Sequence, residues 1–334
     1  MKVTFTTDGT KRNRFFESLC LKTQSQMKKF LKRELNKRGR DFEDGDGYIY
    51  TPGTKPVLLV AHMDTVHEKI ATEIVYKDGT ISSPQGIGGD DRCGIYMILR
   101  IIKDHDCHVL FCEDEECGGV GSHKFINTET CKNLTGKIQY AIELDRMNAK
   151  DAVYYDLDNP EFEYFIEKEF WKGSYGSYTD ICTICPVIEC AGVNLSCGYY
   201  KQHTKMEYVD LNQMETSINE VCKLLNRTTE TDSFEYIERK HYYGKSYYGL
   251  LSQKYNSWDD DDDYGYNYGY YYGKGVSATT AVKEEKTYEI GWVEGTEEYC
   301  TEEVGISEVE ALGYFMINNP DVKYADVRYV VCID

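Results

Sequence analysis

Residues able to bind a metal or move a proton stand where apolar runs end. The run Leu58-Leu59-Val60-Ala61 stops on His62-Met63-Asp64. In an open α/β sheet, ligands bind beyond the carboxyl ends of the strands, so an imidazole there reads as a metal ligand and the nearby carboxylate as the group that orients it. Taken alone, His62 would serve equally well as a strand cap and Asp64 as the start of a turn. Cys107 to Phe111 likewise runs into Glu113-Asp114-Glu115-Glu116, and Gln139 to Leu144 ends on Asp145. Four consecutive acids repel one another unless a cation or protons compensate. A glycine-rich turn, Gly86-Ile87-Gly88-Gly89, leads into Asp90-Asp91, and His203 arrives much later in Gly198-Tyr199-Tyr200-Lys201-Gln202-His203-Thr204.

Two imidazoles, several carboxylates and no obligatory thiolate suit Zn, and also Co or Mn. The set suits two ions better than one, because a carboxylate can bridge them. Each residue singly reads as a cap, a turn or a surface acid; that reading accounts poorly for all of them at strand ends in one domain. Spacing alone does not separate Glu113 from Glu115 as a general base.

The elements that must position these residues can be followed along the chain. Thr23 to Lys37 places Met27, Phe30, Leu31 and Leu35 at helical spacing, with Thr23 or Ser25 as N-cap and Asn36 to Gly39 as the stop. Tyr48 to Tyr50 is a short strand, and Pro52-Gly53 turns the chain into the strand Val57 to Ala61. Lys77-Asp78-Gly79 marks a hairpin between Glu73–Tyr76 and Thr80–Ser82. Arg92 to Ile102 is helical. The glycine turn before it lacks the Walker lysine and the dinucleotide spacing, so it reads as a close backbone approach to a metal, with Asp91 starting the helix. Strands follow at Cys107–Phe111 and Gln139–Leu144. Tyr154 to Tyr164 reads as strand then helix, Gly173 to Asp180 as a loop, Ile181 to Ile188 as a strand or short helix, and Asn212 to Leu225 as a closing helix.

The composition bounds the rest. A chain of 334 residues with 41% hydrophobic content can bury a full core and carry a second small unit. No apolar run approaches the roughly 20 residues that cross a bilayer, and the N-terminal residues lack the apolar segment of a signal peptide, so no membrane association and a cytoplasmic location are expected. Thirteen cysteines, an odd number, then fit reduced thiols. Cys182-Thr183-Ile184-Cys185 has no second pair at zinc-finger spacing and reads as buried small residues. A net charge of -19 argues against nucleic acid, which requires clustered Lys and Arg. Beyond about Arg239, Tyr, Gly and Asp dominate. The expected organisation is a catalytic domain over 1–238, a flexible linker over 239–284 and a small C-terminal α+β unit over 285–334, with a strand at Thr287–Val293, a helix at Glu308–Ile317 and a strand at Val322–Cys332. The linker reads first as a solvated tether, with a protein partner for it or the C-terminal unit as the alternative.

Over roughly Thr23 to Leu225 the sequence resembles the dinuclear zinc aminopeptidase superfamily, which includes peptidase T, the aminoacylase-like enzymes and the tetrahedral aminopeptidases. The stretches that carry the likeness are Ala61-His62-Met63-Asp64-Thr65, Gly88-Gly89-Asp90-Asp91-Arg92-Cys93-Gly94, Glu113-Asp114-Glu115-Glu116-Cys117-Gly118, Ile142-Glu143-Leu144-Asp145-Arg146 and Tyr200-Lys201-Gln202-His203-Thr204-Lys205-Met206-Glu207-Tyr208. The resemblance implies an α/β fold, a three-layer α/β/α sandwich with a mixed central sheet. It implies two divalent ions, with His62 and Asp145 on one, Glu116 and His203 on the other, and Asp90 bridging. It makes Asp64 the support of His62, and Glu115 the general base acting with a hydroxide nucleophile between the ions. The lid domain inserted in the peptidase T and aminoacylase branch has no counterpart between Asp145 and His203. Groups such a lid would supply must then come from elsewhere, with Tyr175, Tyr178 and Thr179 as candidates.

The reading that follows is a metallohydrolase cleaving an amide bond, an aminopeptidase on short peptides. An amidohydrolase or deacylase of N-acyl amino acids or other small amides is the alternative within enzymes. A catalytically inactive binding protein on the same fold is the alternative from another class; such proteins usually lose ligands, and here every matched position is filled.

Overall fold

The apolar run behind His62 is a buried strand, and the architecture is arranged about it. The computed structural model describes residues 12–67, 69–239, 286–294, 297–305 and 327–332. Contacts divide the chain into two units, Met1–His241 and Tyr242–Asp334.

In the first unit the elements run α1 (Arg14–Cys20), α2 (Gln24–Lys37), β1 (Glu43–Gly45), β2 (Tyr48–Thr51), β3 (Lys55–His62), β4 (Val75–Lys77), β5 (Thr80–Ser82), α3 (Gly89–Ile101), β6 (Cys107–Cys112), α4 (Val120–Phe125), α5 (Glu129–Lys132), β7 (Tyr140–Arg146), β8 (Asp151–Val153), α6 (Pro160–Glu167), β9 (Lys172–Ser174), α7 (Asp180–Ile188), β10 (Gly192–Ser196), β11 (Tyr199–Tyr200), β12 (Tyr208–Asp210) and α8 (Leu211–Arg227). The central sheet has the order β1-β2-β6-β3-β7-β10-β8-β9. It is mixed: β6, β3, β7 and β10 are parallel, while β2 and β8 join antiparallel.

Parallel strands covered on both faces must be apolar at successive positions, which explains the unbroken run in β3. Val57, Leu59 and Ala61 point into one core with Phe16 of α1, Leu31 of α2, Ile98 of α3 and Val221 of α8. Leu58 and Val60 point into the other core, with Phe125 of α4, Cys131 of α5 and Ile184 of α7. The result is a three-layer α/β/α sandwich with a mixed sheet.

Local signals account for several boundaries. Thr23 caps α2, and Gln26 returns a hydrogen bond to it in a capping box. Residues 181–188, open between strand and helix in the sequence, are helical. Ile181, Ile184, Cys185 and Ile188 are its buried positions, one face at helical spacing, which puts Cys185 in the second core. The cysteines of the first unit's described residues are free. α1, β1, α4, α5, β10, β11 and β12 go beyond the expected elements, and β9 corrects the loop expected from Gly173, since its pairing with β8 makes Gly173 and Ser174 part of the central sheet. β10 carries Gly192, Asn194 and Ser196, so burial in the sheet overrides a weak strand composition.

β11, β12, β5 and β4 form a separate four-stranded antiparallel sheet. Its pairing of Val209 with Ile81 joins the chain beyond His203 to the hairpin beyond His62. Between Asp145 and His203, β8, β9 and β10 all belong to the central sheet, so this interval completes the sheet and contains no separate insert.

In the second unit β13 (Lys286–Glu294), β14 (Glu297–Gly305) and β15 (Val327–Cys332) form a sheet in the order β14-β13-β15. Both pairings are antiparallel. This corrects the expected strand, helix and strand by adding β14, whose four glutamates hide it from an apolar pattern. The expected helix at 308–317 and residues 240–284 of the expected linker lie outside the described residues. Among the described residues no helix is long and apolar enough to cross a membrane.

Candidate metal centre

Three adjacent parallel strands end side by side. His62 closes β3 and pairs in register with Cys112, the last residue of β6. The chain leaving β6 therefore brings Glu115 and Glu116 to the same edge. On the other flank Val60 pairs with Glu143, so Asp145, two residues further along β7, is level with His62. The sheet alone places an imidazole between two sources of carboxylate.

The imidazole of His62 is fully buried and held at both nitrogens. Nδ1 lies 3.1 Å from Asp64 Oδ1, while Nε2 lies 3.0 Å from Asp90 Oδ1 and 3.3 Å from Asp145 Oδ1. Asp64 also accepts the backbone N–H groups of Glu115 (3.0 Å) and Glu116 (3.1 Å). Its carboxylate thus fixes the ring and the acidic loop together. His203 Nε2 sits 3.2 Å from Asp90 Oδ2 and 3.2 Å from Glu116 Oε1. Asp90 therefore faces both imidazoles, one oxygen toward each.

Among the described residues, three sets of potential ligand atoms each lie within 4.8 Å of one another: His62 with Asp90 and Asp145, Asp90 with Glu116 and His203, and His62 with Glu115 and Glu116. Asp145 Oδ1 and Glu116 Oε1 are buried and carry no hydrogen bond, although each is close to an imidazole nitrogen. A buried carboxylate oxygen without a donor is costly. Oxygens in that condition beside imidazole nitrogens are the donor set a divalent cation requires, so the residues present fit such ions.

Electrostatics agree with the geometry. Burial opposes charge on both histidines, yet the surrounding carboxylates outweigh it. They lift His203 to about 11 and hold His62 well above the ordinary range. Burial, then the charge of Asp90, pushes Asp145 up to about 7. Burial also pushes Glu115 well above the carboxylate range, with Asp145, Asp180 and Glu116 adding repulsion and His62 opposing it. Asp90 moves down despite burial, because both imidazoles favour its anion. The surroundings favour positive charge at this site, and protons would compete there with any divalent cation.

Further side chains hold the loops in place. Asp91, joined to Asp90 by a cis peptide bond, accepts N–H bonds from His62 (3.2 Å) and from Gly94 (2.6 Å). It has non-helical φ and ψ, so it starts the regular part of α3, as the sequence suggested. The buried guanidinium of Arg92 donates to the carbonyls of Met63 and Asp64 at 2.8 and 3.1 Å, pinning the chain just past His62. Asn194 on β10 accepts the Asp145 N–H at 3.0 Å.

Of the three residues considered as substitutes for a lid, Thr179 is buried and donates to Asp145 Oδ2 at 2.9 Å. Tyr178 bonds Thr183 at 2.9 Å, and Tyr175 is 61% exposed. Thr179 thus supports a carboxylate instead of facing open space. Glu207, to which its sequence position gives no role, is fully buried against the loop that carries Asp90. No local pattern signals this, because its place depends on the pairing of β12 with β5.

Comparison with known families bears on this arrangement. Residues 49–180 match the model of Peptidase family M28. That M28 segment, less than half of the chain, contains His62, Asp64, Asp90, Glu115, Glu116 and Asp145, and His203 lies beyond it. No curated protein sequence matches the chain. Among solved structures, the fold is similar to aminopeptidase PepT from Bacillus cereus ATCC 10987, with a TM-score of 0.51 and 14% identity over 64% of this chain and 96% of that one. A tripeptidase from Staphylococcus aureus subsp. aureus Mu50 gives the same TM-score, identity and coverage. At that identity the likeness is one of fold.

Proposed function

We propose that this chain is a two-metal hydrolase that cleaves an amide bond, an aminopeptidase acting on short peptides. The observation that carries the reading is Asp90, whose two oxygens face two imidazoles with further buried carboxylates on either side. His62 and Asp145 would hold one divalent ion, Glu116 and His203 the other, and Asp90 both. The donor set favours zinc, with cobalt or manganese as alternatives. Bound there, the ions would supply a water of lowered pKa and polarise the scissile carbonyl.

The chain's own groups do the rest. Asp64 orients His62 through Nδ1. Glu115, buried beside His62 and Glu116, acts as the general base, taking a proton from the attacking water and returning it to the leaving amine. The excess of carboxylates favours a substrate that presents a free amino group, which supports a peptide N-terminus over an N-acyl amino acid. The M28 match supports peptidase chemistry. A cytoplasmic location, where thirteen cysteines would stay reduced, is part of this proposal.

The test is metal analysis of the purified full chain, with hydrolysis assays on free-amine tripeptides, aminoacyl anilides and N-acyl amino acids. Two ions per chain and preference for free-amine substrates are expected. Metal-dependent cleavage of N-acyl substrates alone would make the chain a deacylase. Absence of bound metal under zinc supplementation, or activity indifferent to Glu115→Gln, would overturn the reading.

A further inference from the structure

Glu207 is fully buried, and its carboxylate is spent on a single task. Oε1 accepts the N–H of Asp90 at 3.1 Å; Oε2 accepts the N–H of Gly88 at 2.8 Å and lies 2.8 Å from His67 Nε2. Three donors therefore converge on one carboxylate, two of them from the backbone of the glycine turn that delivers Asp90. Such an arrangement sets the position of the backbone as well as satisfying it, since two amides bound to one rigid, planar group cannot move independently.

The same residue ends the segment that carries His203. Glu207 N–H bonds the Thr204 carbonyl at 3.2 Å, and Thr204 Oγ1 donates to the Lys201 carbonyl at 2.7 Å. The turn is therefore tied at both ends, with His203 inside it at a φ of 60°. Immediately after Glu207, β12 pairs with β5. The close approach of the two loops is built into the sequence at Gly89. A Cβ there would come within 2.9 Å of Tyr199 Cβ and Val209 Cγ2, and within 3.4 Å of Glu207 Oε1. His67 packs over Gly86, where a Cβ would lie 2.2 Å from the ring, so the imidazole closes the outer side of the same joint.

We infer that Glu207 is a positioning residue that couples the Asp90 loop to the His203 loop and thereby sets the geometry of the Asp90–Glu116–His203 ion site, with His67 as its outer clamp. The inference rests on the two-metal reading above. Two members of that proposed ion site, Asp90 and His203, reach their places through loops that meet at Glu207. The His62–Asp145 site depends less on this joint, because both residues sit on neighbouring strands of the central sheet. Replacement of Glu207 by Gln puts an amide donor among three donors and leaves one acceptor for them. The loops then separate or shift, and the second ion loses ligands before the first.

The experiment compares wild type, Glu207→Gln, His67→Gln and His67→Ala as full-length apo-proteins titrated with zinc by calorimetry and with cobalt by visible absorption. Circular dichroism and thermal unfolding of the apo-forms accompany the titrations. Wild type should bind two ions. E207Q should keep one near-native site and lose affinity for the other by about tenfold or more, the scale typical of groups that orient ligands. Its cobalt spectrum should change at the second equivalent only. H67Q retains a side-chain donor toward Glu207 and should restore most of the second site, whereas His67→Ala should weaken it measurably. Should E207Q fail to fold, the H67Q and H67A pair decides the matter alone, since His67 is at the edge of the joint. Wild type with two ions, together with folded E207Q or H67A binding both with unchanged affinity and spectra, would overturn this inference while leaving the two-metal reading intact. Wild type that binds none would overturn both.

Discussion

Asp64 Oδ1 lies 3.1 Å from the Nδ1 of His62, and the same carboxylate accepts the amides of Glu115 and Glu116. One side chain therefore orients the ring and holds the loop that carries the two acids. On the proposed two-metal reading, removing the ring would delete a ligand, whereas removing the Asp64 charge would loosen ligands that remain. His62→Ala should abolish tight binding at its ion site. Asp64→Asn should lower metal affinity or activity by about 10- to 100-fold, the usual cost of losing a group that orients a ligand. Zinc titration of both variants checks the order, and a larger loss in D64N would show that the two roles are reversed.

Glu115 and Glu116 are neighbours in sequence with different surroundings. Glu116 Oε1 is close to His203, while the Glu115 carboxylate falls only in the group with His62 and Glu116. Glu115→Gln should leave two ions bound and lower kcat by about 100- to 10,000-fold, the range for a lost general base. Glu116→Gln should instead lose an ion. Metal content and kcat measured on the same preparations separate the cases. Loss of metal in E115Q would make Glu115 a ligand.

Much of this centre could be read from the chain because the fold concentrates chemistry at strand ends. β3, β6 and β7 announce themselves as short apolar runs, and His62, Glu115, Glu116 and Asp145 follow from where those runs stop. The Glu115 assignment came from family likeness, since spacing did not distinguish it from Glu113. What the sequence concealed depends on contacts between distant segments. The role of Glu207 exists only because β12 pairs with β5, and no local pattern reports that pairing. Residues 181–188 were ambiguous because a short isoleucine-rich run suits a strand or a buried helix equally. β10 was missed because Gly192 and Asn194 disfavour strands until the neighbouring strands bury them.

Gly94 offers a test of how closely α3 must approach β7. A Cβ at this position would lie 1.9 Å from the Leu144 carbonyl oxygen and 2.5 Å from both Asp91 oxygens. The obstruction is backbone, one residue before Asp145, so it cannot simply rotate away. Gly94→Ala should destabilise the protein by about 1–3 kcal/mol, the usual cost of overpacking. It should also weaken metal binding by displacing Asp145 or Asp91. Gly136→Ala has open space around it despite a φ of 69°, so it should leave metal affinity unchanged. Denaturant unfolding with zinc titration checks both, and wild-type values for G94A would contradict the close packing.

Glu17 predicts a pH dependence that is independent of metal. Its carboxylate accepts from Arg12 Nε at 2.8 Å and from Tyr76 OH at 2.7 Å, fastening α1 to β4. The Arg12 hydrogen bond pulls its pKa below the ordinary glutamate value, burial opposes, and Tyr76 adds to the lowering. A carboxyl group whose folded pKa is depressed binds protons more weakly when folded than when unfolded. Its stabilisation is therefore complete above the unfolded pKa of about 4.3 and disappears as pH falls through the lower folded value. Urea midpoints of wild type and Glu17→Gln should differ most near pH 7 and converge as the pH is taken below about 4. Other carboxylates titrate in the same range in both proteins, so the difference between the two curves isolates Glu17. A difference that stayed constant across that range would mean the contact contributes through packing and not through charge.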